Sequence, residues 1–385
     1  MEKPDKKKKR LPLFQRLVFG LNLVAIAVLL LSYTAAWISP ETFWPLAFFG
    51  LAYPVFFFVN LLFVGYWLMF RKKLMLWSLI TILLGGGLIG RHVQMKDQMA
   101  EDKIDDYLKV ISYNVHSYNR RNWNEENQKN LTSQFVDFFA EQKPDILCLQ
   151  EHLSYGESER IIREQVRENA GLKYYYLKKY YNTHDNSQCV GIFSRYPIVR
   201  YGMEQSDYRG KQRTFFVFAD LKLTEDTIRV YSVHLQSIRL NDEYVLFTEE
   251  PLPQDKEYQR IVKRNSMKMA RKLKHAFEAR AIQSGRLQDH VSKSPYPVIL
   301  CGDFNDTPTS YVYAQINRLL DDTYRKSGHG DSKTYSGKFP SFRIDYIFAS
   351  EVFESANTQI VPKEWSDHYP VITHLKLREE NKQAR

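Results

Sequence analysis

Eight polar side chains stand at or beside the ends of apolar, β-branched runs. Asn114 lies in S-Y-N-V-H-S (112–117), Glu151 closes L-C-L-Q-E (147–151) and His234 lies in V-Y-S-V-H-L (230–235). Asp303 and Asn305 belong to V-I-L-C-G-D-F-N-D (298–306), Asp345 to R-I-D-Y-I-F (343–348), and Asp367 and His368 to S-D-H-Y-P-V (366–371). Taken singly, an Asp at a strand end is ordinarily a turn or cap residue, and a lone His there is ordinarily structural. Taken together they have a chemistry. If the strand ends converge, one Glu, three Asp, two Asn and two His share a cleft. Such a set suits a hard, oxygen-seeking cation such as Mg²⁺. It also offers a base for water and donors for an anionic oxygen. Hydrolysis of a phosphate ester needs these parts, because the substrate's negative charge repels hydroxide until it is compensated.

The elements that must position these groups are short strands. β-like runs fall at 108–115, 145–151, 174–180, 189–194, 213–223, 227–235, 296–304, 343–349 and 369–377. Most are β-branched or aromatic and are bounded by turn residues. Helical patterns lie at about 126–141, 156–169, 257–289 and 309–320. The class is α+β: two packed sheets with helices outside.

The ordered motifs S-Y-N-V, L-Q-E, V-H-L, G-D-F-N, R-I-D-Y-I-F and S-D-H-Y-P-V resemble those of the endonuclease/exonuclease/phosphatase superfamily, over roughly residues 108–377. The resemblance implies a four-layer α/β-sandwich of the DNase I-like kind. It implies that Glu151 is the main metal-binding carboxylate, with Asn114 beside it and Asp367 completing the site. Asp303 would polarise or deprotonate the attacking water, and Asn305 would orient that water or hold a phosphate oxygen. His368, oriented by Asp345, would donate to the scissile phosphate. His234 would bind phosphate or assist the leaving group, and it departs from the tyrosine of abasic-site repair enzymes. The implied cofactor is Mg²⁺, with Mn²⁺ as an alternative.

A different segment precedes these motifs. Residues 17–38, 43–70 and 74–90 are three uncharged apolar runs, read as membrane spans. Three runs in tandem are unlike a cleaved signal peptide, which has one short apolar region. Lys6–Arg10 and Arg71–Lys73 flank the first and third runs, whereas Ser39–Thr42 has no basic residue. The positive-inside rule then puts the N-terminus in the cytoplasm and everything after the third run outside it. The expected organisation is a multi-pass membrane anchor (1–91), a polar linker (92–106), a catalytic domain (107–378) and a polar tail (379–385). For a bacterial member that means the periplasmic side of the inner membrane.

Charge narrows the substrate. The chain of 385 residues carries a net charge of +10, of which +7 falls in residues 1–90. The remainder is nearly balanced, so net charge gives no argument for nucleic acid. One basic stretch stands out, Lys263–Lys274, in which Lys268 and Arg271 are candidate substrate contacts. Its alternatives are a solvated helix face, a phosphate backbone or anionic lipid headgroups. The expected partners are the bilayer and a phosphate-ester substrate; no protein partner is inferable. The expected function is a phosphodiesterase, either nuclease or lipid phosphodiesterase. The alternatives are a phosphatase on phosphomonoesters and, from another class, a non-catalytic scaffold. Cys148, Cys189 and Cys301 are too few for a disulfide framework and read as core residues.

Overall fold

The computed structural model describes residues 11–118, 125–153, 156–181, 188–208, 210–238, 256–336 and 342–378. The basic cluster Lys6–Arg10 and the polar tail 379–385 lie outside the described residues.

The apolar N-terminal runs fold into helices, and prolines and glycines set their ends. They are α1 (Leu13–Thr34), α2 (Pro40–Phe43), α3 (Pro45–Leu51), α4 (Tyr53–Phe70), α5 (Lys72–Leu84) and α6 (Gly86–Ile89). Pro40, Pro45 and Pro54 occupy first turns, where the absent N–H costs nothing. The second expected span, 43–70, is therefore divided, and its membrane-length part is α4 alone. The third, 74–90, is not one span either: α5 has 13 residues and stops at Gly85, the first of three glycines. Among the described residues two helices, α1 and α4, are long and apolar enough to cross a membrane, rather than about three.

These helices form an up-down-up bundle whose polar groups are inside. Asn22 donates to Ser78 Oγ (2.6 Å), Ser78 to Asn60 Oδ1 (3.1 Å), and the Trp67 indole to Asn22 Oδ1 (2.9 Å). All four side chains are buried, while Leu17, Leu21, Phe58, Leu62 and Met69 point outward and are exposed. That is the reverse of a water-soluble bundle, in which the apolar stripe faces inward.

Residues 92–106, the expected linker, are tied to the rest of the chain. Strand β1 (Val93–Met95) pairs antiparallel with His329–Asp331, and the Asn357 side chain bonds both the N–H and the carbonyl of Met99. The helical head also docks directly on the rest of the chain. Thr309 Oγ1 donates to Gly50 O (2.7 Å), Arg91 to Pro308 O (2.7 Å), and Phe48 packs edge-on against Phe277. Within the head, Gly50 lets α3 pass close to the end of α1: a Cβ there would lie 2.8 Å from that of Ala35.

The remaining elements, in chain order, are β2 (Leu108–Asn114), α7 (Glu125–Gln142), β3 (Ile146–Leu153), α8 (Glu157–Ala170), β4 (Tyr174–Lys179), β5 (Gln188–Ser194), β6 (Ile198–Tyr208), β7 (Lys211–Lys222) and β8 (Thr227–His234). Then come α9 (Lys256–Ser292), β9 (Val298–Asp303), α10 (Tyr311–Asn317), β10 (Asp321–Asp322), α11 (Thr323–Ser327), β11 (His329–Asp331), β12 (Asp345–Ala349), β13 (Phe353–Ile360) and β14 (Val371–Leu377). One six-stranded sheet has the order β13-β14-β2-β3-β5-β4 and the other β10-β12-β9-β8-β7-β6.

Period-two alternation divides each strand between two cores. Val110, Ile146 and Cys148 of the first sheet meet Val230, Ile299, Cys301 and Ile347 of the second. The intervening residues face outward to helices. Ile111, Tyr113, Leu147 and Leu149 pack beneath α7 and α8, and Tyr231, Leu300 and Phe348 lie beneath α9 and α10. The result is the expected α+β sandwich, layered helix, sheet, sheet, helix.

Candidate active site

The same alternation aims the polar groups. Asn114 shares the parity of Val110, His234 that of Val230, Asp303 that of Cys301, and Asp345 that of Ile347. All four therefore face the space between the sheets, at one end of it. Register brings three of them side by side, since Asp303 pairs with His234 on one flank and with Asp345 on the other.

Glu151 breaks this rule. By alternation it would face the outer helices. The β3–β5 register shifts between Leu149 and His152, and Glu151 adopts φ +54°. This extra residue is a bulge, which re-aims a side chain. It brings Glu151 Oε1 to 3.8 Å from His234 Nε2. Gly302 is required for a related reason. Its φ is +144°, and a Cβ there would fall 2.1 Å from the Val233 carbonyl oxygen. Only glycine lets β9 pass so near β8 just before Asp303.

The side chains form a connected set. Asn114 Nδ2 donates to Asp303 Oδ2 (3.0 Å), and the Asn305 N–H donates to Asp303 Oδ1 (2.8 Å). His368 Nδ1 bonds Asp345 Oδ2 (2.9 Å), which turns its Nε2 toward Asp303 Oδ2 at 3.8 Å. His234 Nε2 lies 3.6 Å from the same oxygen. Asp367 reaches His116 Nδ1 at 2.9 Å. Asn305 also adopts φ +52°, with its side chain donating to Leu235 O (3.3 Å).

Burial dominates the electrostatics. It pushes the Asp303 carboxyl up to about 7; Asp345 adds to this, and His368 and the hydrogen bonds oppose it. For His368, burial disfavours the charged ring, but Asp345 and Asp303 outweigh it and hold it well above the ordinary imidazole value. Burial also works to raise Asp367, yet its hydrogen bond to His116 and the charge of His368 bring it down to about 2. A base poised near neutrality beside a cationic donor is suited to moving protons.

Lys268 and Arg271 stand apart. Both are exposed on α9, about 13–18 Å along the axis from Arg280 at a rise of 1.5 Å per residue. It is Arg280, buried, that reaches the site's surroundings, donating to Asp306 Oδ2 (3.1 Å) and Gln236 O (3.1 Å). Four further neighbours went unread in the sequence: His116, Tyr180, Gln188 and Arg213. His116 follows Asn114 by two residues, so its position was a signal. Tyr180 ends the aromatic run 174–180 and passes for packing. Gln188 donates to Glu151 Oε2 (2.6 Å), a contact made across the chain with no local signature.

Asp303, Asp345 and His368 bring one ligand atom each within 4.8 Å of one another. This differs from the expected metal set of Glu151, Asn114 and Asp367. His368 is a poor ligand here, because Asp345 holds its Nδ1 and its charged form is favoured. The oxygens of Glu151 and Asn114, two of the expected ligands, are the better match to a hard cation. The donor set fits one: a buried carboxylate raised to about 7 marks a place short of positive charge. In addition, Asp345 Oδ1 is buried without a hydrogen-bond partner among the described residues.

The model of the endonuclease/exonuclease/phosphatase family matches residues 111–368. The chain belongs to the endonuclease/exonuclease/phosphatase family. All eight motif residues of this family member fall within the matched range. Residues 15–92 match a second family, described as a domain of unknown function (DUF8431). Among curated relatives, the uncharacterized protein YbhP of Escherichia coli K12 is 28% identical over 104 residues. That match covers 26% of this chain and 41% of YbhP, so the chain spans well under half of that relative. Among solved structures, the human nocturnin catalytic domain with bound sulfate has a TM-score of 0.48 at 16% identity, covering 74% of this chain and 97% of that one. The mannosyl-6-phosphatase Bt3783 of Bacteroides thetaiotaomicron has a TM-score of 0.45 at 19% identity, covering 70% of this chain and all of that one.

Proposed function

We propose that this family member is a membrane-anchored, divalent-metal-dependent hydrolase of phosphate esters, and specifically a phosphodiesterase. The observation that carries the reading is the Asp345–His368–Asp303 chain. Its 2.9 Å bond orients the imidazole, and its far nitrogen faces a buried carboxylate. Asp303 takes the proton of a water as that water's oxygen attacks phosphorus. Asn114 and the Asn305 N–H hold the carboxylate in place. The bond from phosphorus to the ester oxygen breaks, and His368 donates from Nε2 to the phosphoryl oxygens as their charge grows. His234, on the other flank, is placed to donate to the phosphate or the departing oxygen. Mg²⁺, held by Glu151 and Asn114, would supply charge compensation for the phosphate.

Purified full-length protein with Mg²⁺ is expected to turn over bis(4-nitrophenyl) phosphate faster than 4-nitrophenyl phosphate. A preference for the monoester would favour the phosphatase alternative. Turnover of neither ester would return the chain to the scaffold class.

The inverted polarity of the head supports membrane insertion. Its two ends also support an orientation. At one end Arg71 lies 3.5 Å from Gln15, near Arg16, Lys72 and Lys73; at the other, Gly50 and Arg91 meet the catalytic domain. Basic residues retained in the cytoplasm, at the end of the bundle opposite Gly50 and Arg91, leave the catalytic domain outside. Alkaline phosphatase fused after Arg385 is then expected to be active and a cytoplasm-dependent reporter inactive; the opposite pattern reverses the orientation.

A further inference from the structure

α9 has a basic half that the chemistry above does not use. From Tyr258 to Phe277 it contains seven Lys/Arg and no acidic residue. Arg260, Lys263, Arg264, Lys268 and Arg271 are exposed and recur at the three- and four-residue spacing of one helix face. Met267, exposed at 47%, lies among them. This half begins where α9 leaves the helical head. Phe277 packs on Phe48, with ring centroids 5.4 Å apart, and the Lys274 ammonium lies 6.0 Å from the Trp44 ring. Trp37 is exposed at 73% and Phe43 at 53%, an aromatic fringe of the kind found at a membrane boundary. The basic helix thus leaves the head at the level where headgroups would lie.

We infer that the N-terminal half of α9 rests on an anionic lipid surface. The inference builds on the reading of the head as a membrane anchor. Charge complementarity and continuity with the head favour lipid over nucleic acid. Because Arg280 of the same helix grips Asp306, contact with the bilayer bears on the loop that follows Asp303.

The test uses full-length Met267→Cys carrying an environment-sensitive fluorophore; Cys148, Cys189 and Cys301 are free and buried. The protein is reconstituted in nanodiscs of phosphatidylcholine, with or without phosphatidylglycerol. A blue shift is expected only with phosphatidylglycerol. High salt should reverse it, and changing Lys263, Arg264, Lys268 and Arg271 to Gln should abolish it. Equal emission in both nanodiscs overturns the inference, as does a shift produced by duplex DNA and not by phosphatidylglycerol. Failure of the protein to co-elute with any nanodisc instead removes the anchor reading beneath it.

An independent observation concerns His234. Tyr180 Oη accepts the Glu151 N–H (2.8 Å) and lies 2.6 Å from His234 Nδ1. Arg213 donates to His234 O (2.9 Å), and its Nη2 is 3.4 Å from the same Nδ1. A guanidinium has only donors, so the nitrogen facing it is the unprotonated one. The phenol hydrogen then has Nδ1 as its acceptor. His234 Nε2 carries the ring hydrogen and faces two acceptors, Asp303 Oδ2 (3.6 Å) and Glu151 Oε1 (3.8 Å).

The structure assigns Tyr180 and Arg213 as positioning residues that hold His234 in the Nε2–H tautomer, a donor aimed where phosphate would bind. In full-length Tyr180→Phe, selective ¹⁵N-histidine NMR should show His234 losing that preference. The kcat should fall about 10–100-fold with KM little changed, the usual cost of removing a partner that orients a reacting group. Unchanged ring-nitrogen signals or an unchanged kcat overturn the assignment. Should Tyr180→Phe fail to fold, Arg213→Lys is read by the same signals with the same outcomes.

Discussion

Asp303→Asn is expected to lower kcat by about 10²–10⁴-fold, roughly 3–5 kcal/mol of transition-state stabilisation, with KM changed far less. The substitution keeps size and polarity but removes the base. Asn114 and the Asn305 N–H both donate to this side chain, so the amide can keep one of the two bonds and the site should stay folded. His368→Ala should fall in the same range. The double variant should lose less than the sum of the two, because both residues act on one transition state. Steady-state kinetics with circular dichroism as the folding control measures all three. Near-normal kcat in folded Asp303→Asn would remove Asp303 from the role of base.

The second large effect is on stability. Arg343 is buried and bonds Asp322 twice, at 2.8 and 2.5 Å, while also donating to Arg91 O (3.0 Å). Asp322 accepts as well from Tyr313 Oη (2.8 Å) and caps α11 through the Tyr324 N–H (3.1 Å). Asp322→Ala strands a buried guanidinium and two further donors. Breaking such a pair by removing one partner costs about 3–5 kcal/mol. At roughly 2–4 °C per kcal/mol, the apparent Tm should fall by about 10 °C. Because Arg343 also binds the carbonyl of Arg91, the loss should loosen the seam between the head and the sandwich. Thermal unfolding followed by tryptophan fluorescence checks this; a fall under about 2 °C would mean that the guanidinium finds water once Asp322 is gone.

Most of the site was legible because strand ends and turn chemistry are local properties. Asp303, Asn305, Asp345 and His368 sit where apolar alternation stops, and that is visible in one dimension. Glu151 is different: its motif marks it, but alternation alone sends it to the helix side, and the bulge that returns it depends on β5. Among the described residues five strands were missed: the short β1, β10 and β11, and the longer β6 and β13, both of which are sheet edges with one flank unpaired. Their sequences, such as Phe353–Ile360 with a mixed burial pattern, lack the apolar run that a central strand needs. The third apolar run was long enough by count, but Gly85–Gly87 divides it, and glycine tolerates a helix without enforcing one. Tyr180 and Arg213 reach His234 across 54 and 21 residues, a pairing that no spacing rule encodes.

The central claim is that a divalent cation and the Asp303–His368 pair together hydrolyse a phosphate ester. The most direct measurement is the rate of bis(4-nitrophenyl) phosphate hydrolysis by the full-length protein in EDTA, then after Mg²⁺ is returned in excess, alongside Asp303→Asn. Activity should vanish in EDTA, return with Mg²⁺ in the unsubstituted protein, and stay about 10²–10⁴-fold lower in Asp303→Asn at every Mg²⁺ concentration. Undiminished hydrolysis in EDTA, or a Mg²⁺-restored rate in Asp303→Asn equal to that of the unsubstituted protein, would contradict the claim.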